Sequence, residues 1–465
     1  MSAGAKAITT RLAEIVGEAN CPDDPGQLAE YEIDGIRPSA AVRPQSAPET
    51  AEVIKAAAAG GLAIIPCGAR TKLAIGSPPR KYDVALDLAR LNRVISYDPD
   101  DLTLSVEAGL PLHKLAAVLA ERGQFLPLAV PFAAHTTVGG TVASGVDSPL
   151  RQFFGTARDF VLGLEFVTGD GTLAKSGGRV VKNVTGYDLH KLMIGSLGTL
   201  AVITKINFRT FPLPVGTRAF VANFDAAECA LDMRARVAES PLTPITEEIL
   251  SPAVADLFYS DAAAKIESRH IAPNVISNKT WAFTCGFTGT EKVLSRCDEE
   301  LRSFAKQLGA VSATTLVGDQ IKGAFGRKRE FVPIALASSP AATILKIGVL
   351  PSHLKDVLSE IHSTVESESI QSATLVRGLG IVYVALMPET KDESVRARVA
   401  RAAARIQAAC ANLEGHATIP WCPSEWKSHL QIWGSARSDV AQMRKLKTVF
   451  DPNNILSPGR FIGGI

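Results

Sequence analysis

The sequence reads as an α+β protein of two or three domains. Three observations lead there. The chain has 465 residues, enough for more than one hydrophobic core. Short apolar runs bounded by glycine and proline alternate with runs of helical period along most of its length. Between residues 216 and 420 the order strand then helix recurs, which suits an antiparallel sheet covered on one face.

Composition removes several classes of function. Hydrophobic residues make up 46% and charged residues 21%, with a formal net charge of +2. That balance, with no basic stripe interleaved with aromatics, gives no reason to expect nucleic acid. Arg327-Lys328-Arg329 is followed at once by Glu330 and reads as a solvated turn. Lys6, Arg11, Glu14 and Glu18 stand where a secretory signal would be apolar, so none is expected. No run of 18 apolar residues predicts a membrane span. Seven cysteines, an odd count without a CxxC pair, suggest reduced thiols in a cytoplasmic protein that carries no structural metal and no iron–sulfur cluster of its own.

The first elements follow in order. Ile8, Leu12, Ile15 and Val16 share one side of a helix over residues 8–20, which Pro22 and Pro25 end. Residues 40–43 are extended between Pro38 and Pro44. Ser46, Pro48 and Glu49 open a helix that runs to residue 59. Residues 62–65 form a buried strand that stops at Pro66-Cys67-Gly68-Ala69-Arg70-Thr71-Lys72. Backbone N–H groups freed in such a turn make an anion-binding concavity, and Thr71 and Lys72 add donors. A plain surface turn fits the same residues. The Walker pattern and GxGxxG are both absent.

Strands follow at residues 84–88 and 102–108, separated by the turn Asp98-Pro99-Asp100-Asp101. Pro111 opens a helix with Leu112, Leu115, Val118 and Leu119 on one face. His135-Thr136-Thr137-Val138-Gly139-Gly140-Thr141-Val142-Ala143-Ser144-Gly145 is made of small and hydroxyl residues. It could let a bulky ligand lie against backbone, or pack as a helix tightly on a sheet. A strand over 161–168 turns at Asp170-Gly171. Residues 177–212 then combine two glycine-bearing turns with the polar corner Lys182-Asn183-Val184-Thr185-Gly186-Tyr187-Asp188. That arrangement suits a backbone that approaches a flat ligand, as well as an ordinary loop between helix and strand.

Taken together, PCGARTK, HTTVGGTVASG, FGTARDFVLGLEFVTGDG and GGRVVKNVTGYDLHKLMIGSLGTLAVIT resemble the FAD-binding domain of the vanillyl-alcohol oxidase (PCMH-type) superfamily. Within it the chain is most similar to the FAD-binding subunit of bacterial glycolate oxidase. The closing FDPNNILSPGRF, and the segments Cys422-Pro423 and Ile432-Trp433-Gly434, share that likeness. The resemblance implies a helical lead-in over 1–33 and a two-lobed PCMH-type FAD-binding domain over 34–215. An α/β cap domain with an antiparallel sheet would occupy 216–420, and residues 421–465 would return to the flavin. It puts the pyrophosphate loop on Pro66 to Lys72 and a second flavin-contacting segment on Thr136, Thr137, Gly139, Gly140, Ser144 and Gly145. Lys182, Asn183, Gly186, Tyr187 and Asp188 would pack near the isoalloxazine, with Ile203 and Asn454 approaching it. His135 could tether the flavin covalently through a ring nitrogen, or hydrogen-bond beside a noncovalent one. Two departures stand out. Cys67-Gly68-Ala69-Arg70 holds less glycine than the usual loop, so Ala69 would have to tolerate its geometry. Leu197 stands where many relatives carry an acid.

The resemblance implies oxidation of a small 2-hydroxy acid such as glycolate to the 2-oxo acid. Electrons would pass through FAD to an iron–sulfur partner, beside a homologous FAD-binding subunit, with membrane association only through those partners. The cap weakens a stand-alone role. Where relatives carry a histidine-rich motif, this chain has Leu375-Val376-Arg377-Gly378-Leu379-Gly380. No base is identifiable. Arg377 is the substrate-carboxylate candidate, although a structural ion pair fits it too. A stand-alone dehydrogenase and a non-catalytic assembly subunit stay open as alternatives.

Overall fold

The computed structural model describes residues 3–22, 24–179, 186–269, 275–435 and 438–465. Among these, the strands form three sheets and a short ribbon. The first sheet is parallel, with order β1-β3-β2, from β1 (Ala40–Val42), β2 (Ile64–Cys67) and β3 (Val84–Asp87). Continuous apolar runs make these strands because both faces are buried. The Ala47–Ala59 helix packs beside them, opened by Ser46, whose hydroxyl accepts from the Glu49 N–H.

The second sheet is antiparallel. It contains β4 (Val94–Asp98) and β5 (Thr103–Glu107), then, after a two-residue strand β6 (Gln124–Phe125), β7 (Val161–Thr168), β8 (Leu173–Gly177) and β9 (Ala201–Arg209). Its order is β4-β5-β9-β7-β8, and β10 (Phe211–Pro212) pairs with β6. The small-residue segment before β7 is indeed a helix, Val138–Ser144, capped by the Thr137 hydroxyl. Its glycine is needed: a Cβ on Gly139 would stand 2.6 Å from that of Ala108, so the helix lies directly on the end of β5.

The third sheet has eight antiparallel strands: β11 (Thr217–Phe224), β12 (Thr246–Leu250), β13 (Trp281–Thr288), β14 (Ser312–Leu316), β15 (Thr343–Gly348), β16 (Ser372–Arg377), β17 (Ile381–Leu386) and β18 (His416–Trp421). The order is β14-β11-β13-β12-β16-β17-β15-β18. Four long helices, including Glu291–Gln307 and Glu393–Asn412, cover one face. The opposite face is buried as well, under Pro252–Phe258, Phe331–Ser338 and apolar residues from the N-terminal half such as Ile75 and Leu197. The sheet is therefore buried on both sides rather than one.

Charge explains two differences from the sequence reading. Arg327-Lys328-Arg329 is no solvated turn. It ends the Asp319–Arg329 helix, with Arg327 and Lys328 buried and Lys328 Nζ 2.8 Å from the Glu248 carboxylate. Glu248 lies in β12, a strand whose two glutamates hide its apolar character. Both glutamates are buried and paired: Glu247 with Arg234 at 3.0 Å, and Glu248 with Lys328 and Arg377.

The chain then returns to its beginning. Ile64 N–H donates to the Ile455 carbonyl and Ser457 N–H to the Ile64 carbonyl, at 2.7 and 2.8 Å, so residues 455–457 extend β2 on its free side. Lys427 Nζ donates to Asp34 at 2.8 Å and to the carbonyls of Ala74 and Gly76 at 2.6 and 2.9 Å.

Candidate functional site

A cleft of about 780 Å³ opens between the first two sheets. Its wall starts where β2 stops, at Pro66 through Leu73, and continues through Thr137, Gly139, Gly140, Ala143 and Ser144. Ala201 and Ile203 of β9 and the turn Leu197-Gly198 close one side, and Arg460 comes from the far end of the chain.

The loop is held open by its own backbone. None of the N–H groups of Gly68 to Lys72 donates to a backbone carbonyl among the described residues. The left-handed position is Arg70, with φ +62°, not Ala69. The side chain at that position explains why an arginine is accepted there. It pairs with Glu30 at 2.9 Å and Asp87 at 3.6 Å, and lies 4.9 Å over the Tyr31 ring.

Two cations line the cleft without acidic partners. Lys72 is 8% exposed; its Nζ donates to the hydroxyls of Thr136 and Thr71, and no carboxylate among the described residues forms an ion pair with it. Burial pulls its ammonium down to about 7, against a small opposing effect of the Glu330 charge. Arg460 is buried too. Its Nη2 donates to the carbonyls of Leu73 and Ile75, while its Nη1 has no partner. Burial lowers it to about 10. Free backbone donors, an unpaired buried ammonium and an orphaned guanidinium nitrogen together demand an anion, and a dinucleotide pyrophosphate meets that demand.

A second pocket, of about 500 Å³, borders the first and shares Ser144 and Leu197 with it. Its other wall is the third sheet. Tyr383 of β17, Lys346 of β15 and Thr418 of β18 are aligned across neighbouring strands, with Trp421, Trp433 and Gly145 around them. Lys346 Nζ lies 2.6 Å from Asp147, and Arg151 Nη1 reaches the other oxygen of that carboxylate at 2.6 Å. The Tyr383 hydroxyl stands 3.3 Å from Asp147 Oδ2. Burial opposes ionisation of Asp147, but Lys346 and Arg151 outweigh it and hold its carboxyl below the usual value. Burial also opposes the charge on Lys346, and Asp147 more than restores it. Burial and the Asp147 charge push the Tyr383 phenol up to about 12.

Of the residues singled out in the sequence, Pro66 through Lys72, Thr137, Gly139, Gly140, Ser144 and Ile203 line the cleft. Thr136 stands behind it, bonded to Lys72. Gly145 lines the second pocket. His135 is exposed and Asn454 sits in an exposed turn; neither belongs to either wall. Gly186, Tyr187 and Asp188 form an exposed corner, with Tyr187 91% exposed, while Lys182 and Asn183 lie outside the described residues. Arg377 is corrected as a substrate residue. It is 4% exposed, bonds Glu248 and the Lys328 carbonyl at 3.0 and 2.8 Å, and supports the Tyr383 ring from 5.3 Å. Lys346, Tyr383 and Asp147 were missed. Their one signal was a lysine and a tyrosine inside otherwise apolar strands.

The family model for an FAD binding domain matches residues 38–177, and the one for the C-terminal domain of FAD linked oxidases matches 213–418 and 435–461. The chain belongs to the FAD-linked oxidases. FAD is the cofactor of this family, and the cleft fits its pyrophosphate. This FAD-linked oxidase is 24% identical to glycolate oxidase subunit GlcD of Bacillus subtilis (strain 168) over 462 residues, 98% of this chain and 96% of that one. It is 40% identical to glycolate oxidase subunit GlcE of Escherichia coli (strain K12) over 148 residues, 32% of this chain and 42% of that one. Substrate-bound p-cresol methylhydroxylase shares the fold, with a TM-score of 0.78 at 18% identity, over 99% of this chain and 97% of that one. The PCMH-type fold and the likeness to the glycolate oxidase flavin subunit therefore both hold.

Proposed function

We propose that this oxidase is the FAD-binding subunit of a glycolate-oxidase-like complex and oxidises a small 2-hydroxy acid to the 2-oxo acid. The observation that carries the reading is the junction of the two cavities at Ser144 and Leu197. An anion-demanding cleft, suited to the cofactor, adjoins a pocket with a cation and a phenol on its far wall. Its likeness in sequence to a protein named as a glycolate oxidase subunit, over almost all of both chains, supports both the substrate class and the assembly.

Bound FAD supplies the acceptor for a hydride from the substrate carbon. The hydroxyl proton leaves to solvent water, and the chain's own residues bind and orient the two reactants. The N–H groups of Gly68 to Lys72, the Lys72 ammonium and Arg460 would hold the pyrophosphate. Gly140, Ala143 and Ile203 shape the wall between them. Trp421 and Trp433 line the second pocket, and Tyr383 stays protonated and donates to Asp147. Electrons leave through an iron–sulfur partner, with a homologous flavin subunit completing the complex.

The test is anaerobic addition of glycolate or D-lactate to the purified flavoprotein, alone and with its partner subunits. Bleaching of the flavin bands is expected in the complex. A flavin that dithionite bleaches but no 2-hydroxy acid does, with partners present, would overturn the reading.

A further inference from the structure

We propose that Glu330, at a helix junction in the C-terminal half of the chain, is a positioning residue for the cofactor: it clamps the turn at Phe132 and so seats the Lys72 ammonium in the cleft.

The backbone of that turn is the first observation. Phe132 has φ of +61°, a left-handed conformation that a bulky aromatic residue keeps only when its surroundings enforce it. The Glu330 carboxylate does the enforcing. One of its oxygens accepts from the Phe132 N–H at 2.7 Å, and the other from the Ala133 N–H at 3.1 Å. Glu330 is 3% exposed and stands where the Asp319–Arg329 helix gives way to the Phe331–Ser338 helix, 198 residues along the chain from Phe132. Arg329 braces it: Nε donates to the second oxygen at 2.9 Å, and Nη2 reaches on to Glu267 at 3.1 Å. A buried carboxylate that accepts from two backbone N–H groups and a guanidinium has little freedom left.

The same turn carries the seat of Lys72. The Phe132 carbonyl accepts from the N–H groups of His135 and Thr136 at 3.0 and 3.1 Å, which closes the turn. The Thr136 hydroxyl accepts from Lys72 Nζ, and the Phe132 ring centroid lies 6.0 Å from that nitrogen. Among the described residues, the groups facing Lys72 Nζ are the Thr71 and Thr136 hydroxyls and the Phe132 ring, with the Glu330 charge at longer range. Burial favours loss of the Lys72 proton, and the Glu330 charge opposes that loss. Glu330 therefore acts on Lys72 twice, through the turn it holds and through its charge. On its other side the Phe132 ring packs 6.4 Å from that of Trp421 and against the core beneath the third sheet. The C-terminal half thus reaches into the cofactor cleft without lining it.

The experiment is a double-mutant cycle on the full chain, with Glu330→Gln and Lys72→Met, read as FAD affinity by flavin-release titration across a pH series. Under mildly acidic conditions Glu330→Gln alone is expected to weaken FAD about 10-fold, because it removes the charge and sets an amide NH2 against a backbone N–H. In the Lys72→Met background the same substitution should cost about twofold or less. Wild-type affinity should fall as pH rises through about 7, where Lys72 of the flavin-free protein sheds its proton. In Glu330→Gln that fall should begin at lower pH, since the anion that favours the ammonium is gone. If Glu330→Gln does not fold, Glu330→Asp, which keeps the charge at shorter reach, goes through the same cycle, with a smaller loss again confined to the protein that retains Lys72. Equal losses in both backgrounds would make Glu330 a structural tie only and overturn the proposal. Unchanged FAD affinity in Glu330→Gln would overturn it too, as would a fall that begins at the same pH in wild type and variant.

Discussion

The cleft and the pocket beside it are built on opposite principles. The cleft is made of backbone: one short loop leaves five N–H groups without backbone partners among the described residues, and two of its cations, Lys72 and Arg460, form no ion pair there. The pocket is made of side chains, and its lysine has an acid at 2.6 Å. The cleft keeps an unmet demand for negative charge, whereas the pocket's demand is partly met from within. A site of the first kind grips its ligand tightly and keeps it. A site of the second kind exchanges its ligand, because an internal carboxylate already supports the cation when the ligand leaves. Those are the properties that a resident cofactor and a turning-over substrate require.

Removing the internal acid should have the largest effect. Asp147→Ala leaves the half-buried Lys346 and Arg151 without their shared counter-charge and should cost about 3 kcal/mol of stability, read by chemical denaturation of the flavin-free protein. If stability is unchanged, the pocket is not internally compensated and the contrast fails. Next is Lys72→Met, which removes a charge-assisted bond to the pyrophosphate and should weaken FAD about 50-fold by flavin-release titration. A loss smaller than fivefold would mean that backbone alone holds the cofactor.

A pH series sharpens the same point. The folded flavin-free protein holds Lys72 near 7 and the unfolded chain holds it at its ordinary value. Between those values only the unfolded chain binds the proton, so stability of the flavin-free protein should rise with pH from about 7 upward, after a full penalty at lower pH. Bound FAD should flatten that rise, and Lys72→Met should abolish it, both read as melting temperature against pH. The smallest effect belongs to Arg70→Gly. Relief of the left-handed backbone, about 1 kcal/mol, is set against loss of the Glu30 and Asp87 pairs, so the net change should be under 1 kcal/mol.

The same contrast explains what could be read from the sequence. Pro66 to Lys72 is contiguous, so its strand, turn and donors appear as one string, and the residues expected there do line the cleft. Lys346, Tyr383 and Thr418 come together only through sheet register, Asp147 joins them from outside the sheet, and no local spacing announces the group. Strand β12 was missed for a related reason. Its glutamates look solvent-facing until Arg234, Lys328 and Arg377 supply their partners from other elements. Arg377 was the carboxylate candidate for its guanidinium fork, but the fork is spent on Glu248 and the Lys328 carbonyl, and the glycines beside it serve the turn between β16 and β17, where Gly378 and Gly380 have φ of +56° and +123°. Backbone sites leave a local trace, while side-chain sites are written in the topology.

The return of residues 455–460 to β2 also sets an order of events in time. Leu456 pairs with Ile64, and Arg460 supplies a wall of the cleft that begins two residues later. A nascent chain that has emerged only through its first two sheets has the loop but neither the neighbouring strand nor the guanidinium. Cofactor capture thus waits until residues 455–460 have emerged, and a polypeptide cut short before residue 455 cannot complete its cofactor cleft.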